Sequence, residues 1–214
     1  MARCCPRVVL LDLDGTVIDT MGLYTEEASR LISEAGGMSL EEARRLYKET
    51  MGMPFRKQLL EAGVPRERVE DVARRFEEWK RKLLAGIKVD SRVVETVERM
   101  RARGLKVYLS TNNECNVIRG LIPDGMLDGV LCNDPGSGFE KGKPHLDEIV
   151  AREGVEPCEV VFVGDSRYDL RLYEGLGVRV VATRGLWRDP GVAEAILAWK
   201  EECEANEANQ GLEG

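Results

Sequence analysis

The chain has 214 residues, 43% of them hydrophobic and 6% aromatic, enough to bury a full core and to hold one domain plus an insertion. Its 31 basic and 38 acidic residues leave a net charge of −7, which argues against a broad polyanion-binding surface of the nucleic-acid kind. No apolar stretch has the length of a membrane span, and the short charged segment before Leu13 does not read as a secretory leader, so a cytoplasmic location is the default expectation.

In chain order, the first strand is expected at Val8 to Leu11, an apolar run that leads directly into Asp12-Leu13-Asp14-Gly15-Thr16. Two carboxylates at the end of a buried strand need a partner, because an unpaired buried charge costs several kcal/mol or neutralises itself. Asp14-Gly15 also fits a type I′ hairpin turn joining Leu10 to Ile18. From Met21 to Ala85 the pattern is helical throughout. Ser39-Leu40-Glu41-Glu42 reads as a capping box, Gly52 and Gly63 as stops, and Pro54 as a first helical position. Pro65 and Gly86 bracket a long charged helix containing Phe76 and Trp79, in which the basic run from Arg74 to Lys82, interleaved with Glu77 and Glu78, reads as a solvated face. This insertion of roughly 65 residues is too long for a loop in a compact domain.

Four further strands are expected at Lys106 to Leu109, Gly129 to Cys132, Val160 to Val163 and Val178 to Ala182, separated by helical patterns or connectors. That alternation predicts an α/β fold with a parallel sheet of about five strands and helices on both faces. The expected organisation is a discontinuous core over 1–18 and 87–214 and an all-helical unit over 19–86. The acidic tail from Glu201 to Gly214 is expected to fray at its end. The six cysteines lie scattered without paired C-x-x-C spacing and read as reduced thiols, with a bridge involving Cys4 or Cys5 left open.

In an open parallel sheet, ligands bind beyond the carboxyl ends of the strands. The first strand delivers Asp12 and Asp14 there, the second Ser110-Thr111-Asn112-Asn113, the segment after the third Lys141-Gly142-Lys143-Pro144, and the fourth Gly164-Asp165-Ser166-Arg167-Tyr168-Asp169. Taken singly, these are a turn, two helix caps and a loop lysine. Together they set carboxylates, a hydroxyl, amides and ammonium groups along one edge, a set that suits a cation and a phosphate.

Asp12-Leu13-Asp14-Gly15-Thr16, the strand ending in Thr111-Asn112, Lys143-Pro144, and Gly164-Asp165-Ser166 followed by Asp169 resemble the four motifs of the haloacid dehalogenase-like superfamily of hydrolases. The helical insertion is similar to that superfamily's small helical cap. The resemblance implies a Rossmann-like core with the first strand central. It implies Asp12 as nucleophile, forming an aspartyl-phosphate, and Asp14 as the acid that protonates the leaving oxygen and then the base that activates water. Mg²⁺ would be held by Asp12, the Asp14 carbonyl and Asp165, with Asp169 behind them accepting from a bound water or from Lys143. Thr111, Asn112 and Lys143 would bind the phosphate. Lys141 competes for the lysine role, and Lys143 is preferred because the Lys-Pro pair fits the third motif. Asp14 favours phosphoryl chemistry, since dehalogenases of the superfamily lack it. The stretch Leu170 to Gly177 departs from the family's alanine-rich pattern.

In the insertion, Arg56 and Lys57 are candidates to hold a second anionic group of the substrate, or else form the exposed first turn of a helix. His145, the single histidine, is expected either to line the phosphate site or to sit on the surface at a helix start. The function implied is a Mg²⁺-dependent phosphatase of a small soluble phosphomonoester, of the phosphoglycolate or sugar-phosphate type. The alternatives are a phosphomutase of the β-phosphoglucomutase type and a non-catalytic binding protein on the same fold. The implied partner is a small phosphorylated metabolite, with no nucleic acid and no membrane, and the oligomeric state is left open.

Overall fold

The computed structural model describes residues 4–118, 120–134 and 136–211; the outermost residues of the expected core boundaries, 1–3 and 212–214, lie outside them. In chain order the elements are β1 (Val8–Leu11), α1 (Met21–Gly36), α2 (Leu40–Glu49), α3 (Phe55–Glu61), α4 (Arg66–Leu84), α5 (Ser91–Ala102), β2 (Lys106–Glu114), α6 (Cys115–Ile118), β3 (Gly129–Asn133), α7 (Lys143–Glu153), β4 (Val160–Gly164), α8 (Arg167–Glu174), β5 (Arg179–Ala182) and α9 (Gly191–Gly211). The five strands form one parallel sheet in the order β3-β2-β1-β4-β5, with β1 in the centre.

All four residues of β1 are buried because helices cover both faces of the sheet, which is why a central parallel strand reads as a continuous apolar run. Val9 and Leu11 pack with Val97, Met100 and Ile196 on one face. Val8 and Leu10 pack with Ile149, Phe162 and Tyr173 on the other. No hairpin joins Leu10 to Ile18. Instead β1 pairs in parallel with β2 and β4, and a tight turn folds back so that the Val17 and Ile18 amides donate to the Leu13 carbonyl at 2.8 and 3.0 Å.

Helices α1 to α4 follow β1 in the chain, before α5 and β2, and enclose a separate apolar cluster that includes Tyr24, Leu31, Ile32, Tyr47, Leu59, Val72 and Phe76. The capping box forms as expected: the Glu42 amide donates to Ser39 Oγ at 3.2 Å, and the Ser39 amide donates to the Glu42 carboxylate at 2.9 Å. Helix α2 ends at Glu49, with Thr50 rather than Gly52 at its C-terminal cap. On α4 the basic run is solvated except for Lys80, which is only 8% exposed. The acidic tail is helical in α9 as far as Gly211. No helix among the described residues is long and apolar enough to cross a membrane.

The cysteines correct the sequence expectation. All six are paired, as Cys4–Cys158, Cys5–Cys203 and Cys115–Cys132, with Cα–Cα separations of 5.2, 5.5 and 5.2 Å that an unstrained bridge requires. Scattered spacing gave no sign of this because the partners are set by the fold, 154, 198 and 17 residues apart. The first two tie the segment entering β1 to the turn before β4 and to α9. The third ties the end of β2 to β3 on the edge where the strands exit.

On a chain-entropy basis the 17-residue bridge contributes about 3 kcal/mol, and whichever long bridge closes first about 5 kcal/mol. Full reduction with excess dithiol is therefore expected to lower the melting temperature by roughly 10–20 °C. The check is a thermal melt by circular dichroism with and without reductant, beside a count of titratable thiols; free thiols in the untreated protein, or an unchanged melt after reduction, would contradict the bridges.

Candidate active site

The strand exits meet as the sequence pattern requires, but Lys143 stays outside the cluster and Lys141 stands in its place. Asp12 leaves β1 buried, 6% exposed, with its carboxylate accepting from Lys141 Nζ at 2.7 Å and from the Leu13 amide at 2.7 Å. Lys141 reaches the buried Asp169 on its other side at 2.8 Å. One ammonium group thus bridges the carboxylates delivered by β1 and by α8.

Lys143 is not in the cluster. Its side chain is 69% exposed and pairs with Asp147 one turn along α7. The cause is Gly142, whose φ of 108° with ψ of −132° lies in a region essentially closed to residues with a Cβ. The reversal there leaves Lys141 facing inward, its amide donating to Asn112 Oδ1 at 3.2 Å, while Lys143 starts the helix facing solvent.

On β2 the structure adds a residue, Asn113. The strand runs on to Glu114, and its alternation buries Thr111 and Asn113 on one side and exposes Asn112 on the other. Asn113 Nδ2 donates to Asp14 Oδ2 at 2.6 Å and to Thr111 Oγ1 at 3.0 Å. Thr20 Oγ1 donates to the other Asp14 oxygen at 2.7 Å, so both carboxylate oxygens of Asp14 are held. Asn112 lines the cavity above the cluster but uses its side-chain oxygen to anchor Lys141. Thr111 Oγ1 accepts from the amide and side chain of Asn113, bonds that leave its own proton free to donate.

Asp165, at the end of β4, lies against the turn after β1. A Cβ on Gly15, where φ is 74°, would collide with the Asp165 carboxylate, so glycine is what allows the two segments to close on one another. Asp12, Asp14, Asp165, Asp169, Thr111 and Lys141 all line one cavity of about 480 Å³ between the sheet edge and the helical insertion. Ser166 Oγ donates to the Met51 carbonyl at 3.3 Å, which docks the loop between α2 and α3 beside Asp165.

The electrostatics follow from crowding. Burial pushes the Asp12 carboxyl up to about 8 against the pull of Lys141, with Asp169 and Asp165 adding to the rise. Burial likewise raises Asp165 to about 6, opposed by Lys141 and assisted by Asp169 and Asp14. Burial alone would lower Lys141, but Asp12 and Asp169 outweigh it and hold the ammonium protonated. Four carboxylates therefore share one cation. One oxygen of Asp169, Oδ1, is buried without a hydrogen-bond partner.

The remaining expected residues lie elsewhere. His145 neither lines the cavity nor sits on the surface: it is fully buried, with Nδ1 2.9 Å from Ser110 Oγ. Ser110 Oγ lies 2.7 Å from Tyr173 Oη, which accepts the Gly142 amide at 3.3 Å, so this chain supports the Lys141-Gly142 segment from behind. Burial, aided by Lys141, pushes the imidazole down to about 4 and keeps it neutral. Arg56 reaches the cavity rim but spends its guanidinium on Glu70 at 3.0 Å, on an exposed face. Lys57 is exposed and does not line the cavity.

Comparison with known proteins gives the family and the fold. The sequence profile of the haloacid dehalogenase-like hydrolases matches residues 9–183. Phosphoglycolate phosphatase 1 of Pseudomonas aeruginosa is 25% identical over 187 residues, spanning 83% of this chain and 69% of that protein. Among solved structures, a haloacid dehalogenase-like family protein from Streptococcus pneumoniae superposes with a TM-score of 0.65 at 15% identity, covering 83% of this chain and 84% of that one. A β-phosphoglucomutase from Clostridium difficile superposes with a TM-score of 0.65 at 17% identity over the same shares of the two chains. The two structures share the fold, and the matched profile contains every residue of the cluster: the chain belongs to the haloacid dehalogenase-like hydrolase family.

Proposed function

We propose that the protein is a phosphatase that transfers the phosphoryl group of a small soluble phosphomonoester to Asp12 and then to water. The observation that carries this reading is the Lys141 ammonium, 2.7 Å from Asp12 and 2.8 Å from Asp169 in a buried cluster that retains an excess of carboxylate. A dianionic phosphate approaching Asp12 meets repulsion that one lysine does not cancel. The donor set fits Mg²⁺: hard oxygens only, on two carboxylates, Asp12 and Asp165, both raised chiefly by burial, to which the Asp14 carbonyl would add a third. Among the described residues no three acidic, histidine or cysteine side chains form a complete cage. An ion that keeps several waters and takes a phosphate oxygen needs none. When bound there, the ion would supply charge compensation for the transferring group.

The chain's own groups do the rest. The Asp12 carboxylate attacks phosphorus in line, the P–O bond to the leaving group breaks, and Asp14 donates a proton to the departing oxygen. Water then attacks the aspartyl-phosphate while Asp14 takes its proton, releasing phosphate and restoring Asp12. Thr20 and Asn113, which grip both oxygens of Asp14, fix its position for both steps. Lys141 and the Thr111 hydroxyl face the equatorial oxygens, where charge develops. The helical insertion over 19–86 acts as the cap that closes over the core of 1–18 and 87–214 and excludes water. A phosphomutase shares these residues, and the disposition of Asp14 toward water separates the two.

Two outcomes check this. Asp12→Asn is expected to reduce kcat by roughly 10⁴-fold or more and to form no phosphoenzyme, whereas Asp14→Asn forms one slowly and retains it, as read by acid-quenched mass spectrometry. Chelation of divalent ions should abolish turnover in the parent, and Mg²⁺ should restore it. Turnover of Asp12→Asn equal to the parent's would overturn the mechanism.

The lysine assignment has its own test. Lys141→Gln is expected to lower kcat/KM by about 10²–10³-fold and to destabilise the fold, because Asp12 and Asp169 lose their common partner. Lys143→Ala should stay within about twofold in activity and within about 0.5 kcal/mol in stability. Steady-state kinetics and thermal melts of both variants decide; equal damage from the two would contradict the placement.

A further inference from the structure

The cavity wall contributed by α1, α2, α3 and α4 has its own chemistry. Lys80, with its side chain 10% exposed, lies 5.6 Å from the Tyr24 ring centroid and 5.5 Å from that of Phe76, and pairs with Glu77 at 3.0 Å. Lys80, Glu77, Tyr24, Tyr47, Phe55 and Phe76 all line the cavity that holds the carboxylate cluster. The Tyr24 hydroxyl is buried in this wall, with Asp14 as a neighbour on the sheet side. Burial raises its pKa most, and Asp14 and Glu77 add to the rise.

Charge on this wall decides what the leaving group carries. Among the described residues, the lining cations outside the catalytic cluster are Arg56, already paired with Glu70, and Lys80, already paired with Glu77. Glu77, Glu114 and Glu140 line the same cavity. A leaving group bearing a carboxylate or second phosphate would find no uncommitted cation among the described residues there, and two carboxylates outside the Lys80–Glu77 pair, Glu114 and Glu140, to repel it. A neutral group with neighbouring hydroxyls meets a better match: each hydroxyl both donates and accepts, and the pair offers ammonium donors beside carboxylate acceptors. The ring edges and faces of Tyr24, Phe55 and Phe76 suit its C–H surface, and Tyr24 Oη can donate to or accept from one of its hydroxyls.

We infer that Lys80, Glu77 and Tyr24 form a leaving-group subsite for a neutral polyhydroxyl moiety, a sugar or polyol, and select against anionic leaving groups. This rests on the phosphatase reading above and adds the substrate class to it. Glu77 is the discriminating residue: its charge cancels Lys80 and so excludes an anion that a free lysine would welcome.

The test measures kcat/KM with Mg²⁺ for glycerol 3-phosphate and hexose 6-phosphates, for phosphoglycolate and fructose 1,6-bisphosphate, and for p-nitrophenyl phosphate. The polyol and sugar monophosphates are expected to exceed phosphoglycolate by at least about tenfold. Lys80→Met, which keeps the apolar contacts, and Tyr24→Phe, which keeps the ring, should each lower the sugar-phosphate to p-nitrophenyl phosphate ratio by about tenfold or more. Glu77→Gln should lower the same ratio and raise kcat/KM for phosphoglycolate by about tenfold. A parent enzyme that prefers phosphoglycolate, or variants that change all esters by one common factor, would overturn the subsite while p-nitrophenyl phosphate turnover upheld the phosphatase reading. No turnover of any ester would overturn that reading and the subsite together.

Discussion

The architecture of the site turns on one buried ion pair network: the Lys141 ammonium between Asp12 and Asp169. Burying charge costs several kcal/mol per ion unless partners repay it, and breaking such a network leaves uncompensated charge. Here the cost is met by bringing residues from β1, the segment before α7, and α8 to one point. The sheet order, with β1 between β2 and β4, makes that convergence possible, because adjacent parallel strands end side by side. The deficit of positive charge that remains suits a divalent cation, which the proposed reaction would use to offset the repulsion between the carboxylates and an incoming phosphate.

Around this centre lie two layers of support. Behind it, the neutral His145, Ser110 and Tyr173 hold the Gly142 amide and thus the reversal that turns Lys141 inward. In front of it, the helical insertion supplies Tyr24, Glu77 and Lys80 to the same cavity. The disulfides act at longer range, fixing both chain ends to the sheet and stapling β2 to β3 beside the site. A reducing cytosol disfavours such bridges outside disulfide-rich hyperthermophilic cells, so they bear on where and how hot the protein works.

Much of this was legible in the sequence, and the failures have definite causes. The five strands and the positions of Asp12, Asp14, Thr111 and Asp165 follow from apolar runs that stop abruptly at polar residues, a pattern that only burial on both faces explains. The choice between Lys141 and Lys143 does not follow, because it depends on the backbone conformation at Gly142 rather than on spacing. Asn113 was within reach: continuing the two-residue alternation past Leu109 puts it on the same side as Thr111. Lys80 was hidden because α4 is charged along its length, and only the aromatic contacts made by α1 and α4 show which lysine turns inward. The three bridges depend on long-range pairing that spacing does not encode.

The most direct test of the account is a crystal structure with Mg²⁺ and beryllofluoride, a mimic of the phosphoryl group on a carboxylate. The account predicts the mimic on Asp12, the ion held by Asp12 and Asp165, Lys141 Nζ against the fluorines, and Lys143 still paired with Asp147 in solvent. Beryllofluoride absent from Asp12, or contacted by Lys143 with Lys141 displaced from the cluster, would contradict it.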